Sequence, residues 1–135
     1  MVVQEISPNY INAVWPQIED FLKDSVAQSH GEFSIDEAKT YLVQGLWSLY
    51  AAVDSENKIC GVMAVHYFNR TDNRVAFITN IGGKLLTTPE LFSQLVDILK
   101  NNGATCIEGA VRDSLVRLWA RMGAVKKSNL IQIKL

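Results

Sequence analysis

The sequence predicts a three-layer α/β domain in which one mixed, mostly antiparallel sheet carries helices on both faces. Three observations support this fold class. Two amphipathic helical patterns open the chain, three strand-like segments joined by short turns follow, and a strand–helix–strand crossover comes next. The chain has 135 residues, enough for one core, and no linker or low-complexity tract divides it. A single domain over 1–135 is therefore expected.

A short strand is expected around Val2 to Ile6, and Ser7 with Pro8 then offers an N-cap and a first helical position. The apolar residues that follow recur at three- and four-residue spacing and mark one buried helix face: Ile11, Val14, Trp15, Ile18, Phe21, Leu22 and Val26. Pro16 lies inside this pattern. Because proline removes a helical hydrogen bond, we expect it to kink the helix or to split it in two.

A second helix is predicted to open at Ser34, with Glu37 three residues later completing a capping box. The chain then changes character, because three segments rich in valine, isoleucine, alanine and aromatic residues are separated by the turns DSENK and NRTDN. These segments are LWSLYAAVD, KICGVMAVHYF and RVAFITNI. Three strands joined by two short turns predict an antiparallel meander.

The last third of the chain predicts a helix that starts at Thr88 and ends near Gly103. Its apolar face is formed by Leu91, Leu95, Ile98 and Leu99. The strand TCIEGAV follows, then the short helix SLVRLWARMG and an alternating final strand, NLIQIKL. Because a strand, a helix and another strand form a crossover unit, the strands on either side of the Thr88 helix are expected to be parallel.

Composition and charge argue against several classes of partner. A formal net charge of −1 provides no electrostatic attraction to nucleic acid, and no apolar run approaches the ~20 residues that a membrane span needs, so neither partner is expected. The N-terminus lacks the pattern of a signal peptide, and we expect a cytoplasmic protein. His30 and His66 have no second ligand at metal-binding spacing, so no metal site is expected.

The stretch TNIGGKLLTTPELF places two glycines between a strand and a helix N-terminus, an arrangement that often binds a phosphate. The backbone of Ile81, Gly82 and Gly83 could approach a pyrophosphate closely, and Lys84 could supply a positive charge. Thr88, at the start of the helix, completes this candidate binding set.

The same stretch has a second interpretation, a tight turn followed by a well-capped helix. Thr88 would then be the N-cap and Pro89 the first helical residue. Pro89 deletes a donor that would face a phosphate, and Glu90 adds a negative charge that repels one. These residues taken alone favour the turn.

The segment LVRLWARMGA, preceded by the strand CIEGAV, resembles the late segment of the GNAT superfamily of acyl-CoA-dependent N-acyltransferases. Leu118 and Gly123 match the leucine and glycine of the superfamily pattern N-x-x-A-x-x-L-Y-x-x-x-G-F, and Ala124 stands where the pattern has phenylalanine. The order of elements resembles the superfamily over nearly the whole chain. Together with the earlier stretch IGGKLL, the segment is also similar to small GNAT-like proteins of tailed bacteriophages.

The resemblance implies that the fourth and fifth strands part to admit the pantetheine arm of acetyl-CoA, with its pyrophosphate at the glycine stretch. An amine of a small molecule or protein would attack the thioester while a base removes its proton and an acid protonates the thiolate. Trp119 occupies the position of the tyrosine that in the superfamily often protonates the leaving thiolate. An indole cannot transfer a proton in this way, so Trp119 is expected to pack in the core or to form the floor of a pocket. Arg112 occupies the asparagine position and could bind a phosphate or carboxylate.

Three residues are candidates for catalysis: Glu108, His66 and Asn80. Glu108 lies mid-strand among apolar residues, and His66 lies on a neighbouring strand and is of the side-chain type that titrates nearest neutral pH. Asn80, just before the glycines, could orient an amide or carbonyl. Each also has an ordinary interpretation: Glu108 on the exposed sheet face, His66 as a satisfied core or surface histidine, and Asn80 as a turn former.

Two functions follow from these observations. The first is a CoA-dependent N-acyltransferase that transfers an acetyl or other acyl group to an unidentified amine. The second is a GNAT-like scaffold that has lost the chemistry and acts as a phage assembly or host-interaction module. The absence of the tyrosine favours the scaffold. The order of the elements and the two glycines favour the acyltransferase. Either a monomer or a homodimer is compatible with the alternating final strand.

Overall fold

The computed structural model describes residues 1–28, 33–83, 89–110, 113–127 and 131–135. Five strands and four α-helices are assigned within these ranges, with a short 3-10 helix at Pro8–Tyr10. In chain order they are β1 (Val2–Ile6), α1 (Ile11–Gln28), α2 (Ile35–Val43), β2 (Ser48–Val53), β3 (Ile59–Asn69), β4 (Arg74–Gly83), α3 (Pro89–Asn101), β5 (Cys106–Gly109) and α4 (Asp113–Ala120).

The sheet has the strand order β1-β2-β3-β4-β5. The first three pairings are antiparallel, which confirms the predicted meander of β2, β3 and β4. β4 and β5 pair in parallel because α3 carries the chain back between them, as the crossover pattern predicted. The three-layer fold class with one mixed, mostly antiparallel sheet is confirmed.

The two faces of the sheet bury two separate apolar clusters. The face under α1 and α2, here called the α1 face, is built around Ile11, Ile18, Leu22, Ala38, Leu42, Trp47, Leu49, Ala51, Val53, Ile59, Val62 and Ala64. The opposite α3 face is built around Val3, Tyr50, Ala52, Met63, Val65, Ala76, Ile78, Leu91, Leu95 and Leu99. Alternate residues of β2 and β3 enter opposite clusters, because side chains along a strand alternate between faces.

Helix α1 is not split at Pro16, so that part of the prediction is wrong. A single helix spans Ile11–Gln28 with Pro16 inside it. The lost hydrogen bond would have reached the carbonyl of Asn12, in the first turn of α1. Ile18 and Leu22 lie beyond the proline and are completely buried, and this burial outweighs the loss of one bond.

The predicted end signals of two helices are confirmed. Ser34 caps α2, since its Oγ accepts a hydrogen bond from the Glu37 backbone N–H at 3.1 Å. Gly103 follows α3 with φ +88°, a left-handed conformation that glycine adopts without strain.

The final strand differs from expectation, because residues 131–135 form no strand and are exposed.

A hydrogen-bonded group on the α3 face ties the end of α3 to the sheet. The hydroxyls of Tyr50 and Tyr67 lie 2.6 Å apart, and the Asn102 amide donates to Tyr50 at 3.1 Å. Tyr50 is completely buried. Burial raises the pKa of both tyrosines, and for Tyr50 the hydrogen bond to Tyr67 raises it further. Both phenols therefore stay protonated in the folded protein above the pH at which free tyrosine ionises.

This raised tyrosine pKa predicts alkaline instability. Stability is fully present below about pH 10, where tyrosine of the unfolded chain ionises, and is lost as pH rises towards the higher pKa of the folded state. Tyr50→Phe should cost about 1–2 kcal/mol at neutral pH and should make the loss above pH 10 shallower. Urea unfolding across pH measures both, with the exposed Tyr10→Phe as control. Equal alkaline slopes for Tyr50→Phe and the unmodified chain would contradict this.

Candidate functional site

The candidate site, here called the opening, is the point at which β4 and β5 stop pairing. The two strands pair over four positions, from Val75 opposite Cys106 to Ile78 opposite Gly109. β5 ends at Gly109, whereas β4 continues to Gly83. Beyond Ile78, the β4 residues Asn80 to Gly83 pair with β3 on one side and have no β5 partner on the other.

A bulge coincides with this separation. Ala64 of β3 pairs with Asn80 and the next residue, Val65, pairs with Ile78, so Thr79 is an extra residue on β4. The Thr79 hydroxyl donates to the Ala64 carbonyl at 3.2 Å and fixes the bulge in place. Because of the extra residue, the side chains of β4 beyond Thr79 change faces relative to a regular strand.

Asn80 is the first residue of β4 after the bulge, and its side chain is buried without a partner. Only 1% of it is exposed, and neither its amide nitrogen nor its carbonyl oxygen makes a hydrogen bond with any residue that the structure describes. An unsatisfied buried amide costs about 1–3 kcal/mol per group. The pairing with Ala64 places Asn80 on the α1 face. Such a group is satisfied by an ordered water or by a ligand, or else it lowers the stability of the fold.

Ser25 of α1 accepts a hydrogen bond from the residue of β4 that follows Asn80. The Ile81 backbone N–H donates to the Ser25 hydroxyl at 2.9 Å, and Ser25 is itself buried. The sequence analysis missed this residue. A signal was present, because Ser25 follows Ile18 and Leu22 at helical spacing and so lies on the buried stripe of α1, where a polar side chain needs a partner.

The two glycines belong to β4 and pack against α1. They pair with Val62 and Gly61 of β3, so they are strand residues and not part of the loop that the sequence predicted. A Cβ on Gly82 would lie 2.4 Å from the Phe21 carbonyl oxygen, and one on Gly83 would lie 2.5 Å from the Cys60 carbonyl. The close approach that requires glycine is therefore made by the protein's own backbone.

Glu108 is held by two cations. The Arg70 guanidinium donates to its carboxylate, and the Lys127 ammonium lies 3.4 Å from the same oxygen. The hydrogen bond from Arg70 is the main cause that lowers the pKa of Glu108, against the opposing effect of burial. A carboxylate with a lowered pKa is a weaker proton acceptor. Both partners lie far from Glu108 in sequence, so the residues around Glu108 could not predict these ion pairs.

His66 and Glu108 lie in one row across the sheet but do not meet. His66 pairs with Phe77, and Phe77 pairs with Glu108, so all three point to the same face. Since adjacent strands are ~4.8 Å apart, the two candidates are about 10 Å apart at the backbone. His66 is exposed, and its ring lies 5.5 Å from that of Phe68. Both candidates flank the last paired positions before the opening.

The remaining candidates divide into two groups. Lys84, Thr88 and Arg112 lie outside the described residues. Trp119 packs against the α3-face cluster and lines a cavity of about 260 Å³ between α3, β5 and α4, which confirms the expectation that it packs in the core or floors a pocket. That cavity is also lined by Leu99 and Thr105, so it adjoins the beginning of β5, not the opening at its end.

The described part of the chain contains neither a cluster of metal ligands nor a membrane-spanning helix. No group of three or more histidine, cysteine, aspartate or glutamate side chains is placed to hold a metal ion there. None of the helices in those ranges is long and apolar enough to span a membrane.

Comparison with solved structures identifies the fold. The ribosomal-protein-alanine N-acetyltransferase of Brucella melitensis biovar Abortus 2308 superposes with a TM-score of 0.68 over 100% of both chains, at 12% identity. An aminoglycoside acetyltransferase from an uncultured soil metagenomic sample, in complex with sisomicin, superposes with a TM-score of 0.67 over 98% of this chain and 95% of its own, at 14% identity. No family model matches the chain, and no curated protein matches it. The expected acetyltransferase-like fold is confirmed.

The packing role of Gly82 can be tested by adding one methyl group. Gly82→Ala should destabilise the protein by about 1–3 kcal/mol, because the new Cβ must displace α1. Gly109→Ala is the matched control, since its Cβ would meet Ile78 atoms at an ordinary 3.6 Å. Urea denaturation of both variants measures the difference. Equal stabilities would show that α1 does not lie close on β4.

Proposed function

We propose that this chain binds an acyl-CoA at the opening between β4 and β5 and transfers the acyl group to an amine. One observation carries the proposal: β4 and β5 stop pairing after Ile78 and Gly109, and two residues later on β4 the Asn80 amide is buried without a partner among the described residues. The fold supports it, because acetyltransferases match the chain over nearly its full length.

Asn80 is the proposed contact for the pantetheine arm. That arm carries amide groups, each with one donor and one acceptor, and the Asn80 side chain offers the complementary pair. Its amide is on the α1 face and fully enclosed, so binding requires a local movement at the end of β4. The gain is the satisfaction of two polar atoms that the free protein leaves unpaired.

His66 is the proposed base. When an amine attacks the thioester carbonyl, a C–N bond forms, the C–S bond breaks, CoA departs as the thiolate, and the ammonium proton must be accepted. Glu108 is already paired with Arg70 and Lys127, whereas His66 is exposed beside the same row of the sheet. A proton from the amine would reach His66 directly or through one water.

A second function is favoured by a separate observation. The Ile81 N–H donates to Ser25, and other atoms of the chain occupy the space beside Gly82 and Gly83. The backbone donor and the space that a pyrophosphate would need are therefore already occupied by the protein. This supports a scaffold without chemistry, acting as a phage assembly or host-interaction module. The two functions differ in whether acyl-CoA binds.

Binding of acetyl-CoA should therefore raise the melting temperature. A ligand specific for the folded state stabilises it by about 2.7 kcal/mol at a hundredfold excess over Kd. Asn80→Leu should by itself stabilise the free protein by about 1 kcal/mol, since it removes an unsatisfied amide, yet should weaken acetyl-CoA binding tenfold or more. Thermal shift and calorimetry measure the two effects. No shift at millimolar acetyl-CoA would reject the enzyme in favour of the scaffold.

Turnover should distinguish the two candidate bases. His66→Gln should lower CoA release about 100-fold or more, with an aminoglycoside and a peptide beginning with alanine as acceptors, whereas Glu108→Gln should lower it much less. Thiol release from acetyl-CoA, with the melting temperature as a check on folding, provides the measurement. A large loss in Glu108→Gln with His66→Gln unchanged would transfer the role to Glu108.

A further inference from the structure

The helices on the α1 face cover only part of the sheet. Helix α1 packs over the end of β4 and the middle of β3. Ala64 of β3 is completely buried beneath this layer, whereas His66, the next β3 residue on the same face, is exposed. Phe68 and Phe77 lie further along that face and are half-buried, and they belong to neither apolar cluster of the described residues. The α1 face therefore has an uncovered area next to the opening.

Three rings line this uncovered area, here called the aromatic shelf: His66, Phe68 and Phe77. The ring centroids of His66 and Phe68 are 5.5 Å apart, and those of Phe68 and Phe77 are 6.4 Å apart. These distances lie in the range at which aromatic rings contact one another, so the shelf is a continuous surface. An exposed apolar surface with a polar rim is typical of a binding site. A ligand that covers the shelf needs an aromatic or large apolar group.

Two cations form the rim of the aromatic shelf. The guanidinium carbon of Arg70 lies 5.3 Å from the centre of the Phe68 ring, and Arg70 and Lys127 both bind the same oxygen of Glu108. Because two cations share one carboxylate, one positive charge of this group is not neutralised. A guanidinium has five N–H donors and an ammonium has three, so both cations keep donors that Glu108 does not use. Their side chains are 43% and 70% exposed, and an anion can therefore reach them without displacing Glu108.

The distance between His66 and Arg70 limits the size of a ligand that bridges them. The Phe68 ring lies 5.5 Å from the His66 ring and 5.3 Å from the guanidinium carbon, so the imidazole and the guanidinium are at most 10.8 Å apart. With a hydrogen bond of about 3 Å at each end, a ligand that bridges them directly has about 4 Å or less between its amine and its anionic group. An α-amino acid meets this limit, because a single carbon joins its amine to its carboxylate.

We propose that the acyl acceptor is a free α-amino acid with an aromatic or large apolar side chain. Its amine lies at His66, its side chain covers Phe68 and Phe77, and its carboxylate binds the two cations of the rim. The proposal rests on the acyl transfer proposed above. The amine nitrogen forms a C–N bond with the acyl carbon, the C–S bond of the thioester breaks, His66 accepts the amine proton, and CoA leaves as the thiolate. The positive charge of the rim disfavours acceptors that carry several cations.

Binding of three ligands tests the proposal without turnover. Phenylalanine, phenylalaninamide and alanine are titrated calorimetrically into the protein in the presence of desulfo-CoA, which has no sulfur to carry an acyl group. Phenylalanine should bind about tenfold more tightly, or better, than phenylalaninamide, because the amide has no carboxylate for the rim. It should exceed alanine by a similar factor, because alanine has no ring to cover the shelf.

Arg70→Gln should remove most of the preference for phenylalanine over phenylalaninamide, since the pair of changes isolates the contact between guanidinium and carboxylate. Lys23→Gln is the matched control, because it removes the exposed cation of another glutamate ion pair, on α1, and should leave the preference unchanged. Equal affinities for phenylalanine and its amide would overturn the proposal. So would an Arg70→Gln variant that binds both ligands more weakly by the same factor.

CoA release separates this inference from the acyl transfer on which it rests. Release with a peptide beginning with alanine, but not with phenylalanine, would overturn the amino acid as acceptor and leave acyl transfer intact. Selective binding of phenylalanine by a protein that does not bind acetyl-CoA would support the amino-acid site on the shelf and would reject acyl transfer. Faster CoA release with phenylalanine than with the peptide or an aminoglycoside, by about tenfold or more, is the result expected if both are correct.

Discussion

The close approach of α1 to the end of β4 determines the rest of the candidate site. Gly82 can carry no side chain because the Phe21 carbonyl oxygen fills that space, and the Ile81 N–H is bound by Ser25 one turn further along α1. These contacts fix one side of the strand end against the helix. Within the described residues, β4 has no partner strand on its β5 side after Ile78, and the proposed ligand is placed on that side.

The fold and the chemistry place different demands on the same residues. Glycines that would let a pyrophosphate approach the backbone also let other parts of the chain approach it. Here the backbone of α1 occupies the space beside Gly82, and the backbone of β3 occupies the space beside Gly83. Glu108, a candidate base by position, is held in ion pairs that lower its pKa. Asn80 is the exception, because it is buried at a cost and no described residue forms a hydrogen bond with its side chain. The proposed acyl-CoA site therefore depends on Asn80 more than on the glycines.

The sequence predicted the elements that depend on neighbouring residues. The meander, the Ser34 cap and the parallel crossover ending at Gly103 all follow from local periods and end signals. The end of β4 could not be predicted, because its conformation is set by Phe21 and Ser25, which lie far earlier in the chain. The ion pair between Arg70 and Glu108 likewise joins residues 38 positions apart. Residues 131–135 have a strand pattern, but a strand also needs a partner, which periodicity does not report.

The most direct test of the central claim is an amide NMR titration of the isotope-labelled protein with acetyl-CoA. The account predicts saturable shift changes concentrated at the end of β4, from Ile78 to Gly83, and at Gly109, with the Asn80 side-chain amide among the largest. The indole of Trp119 in the separate cavity should not respond. Absence of changes at the strand end under saturating ligand, or changes centred on that cavity, would contradict the account.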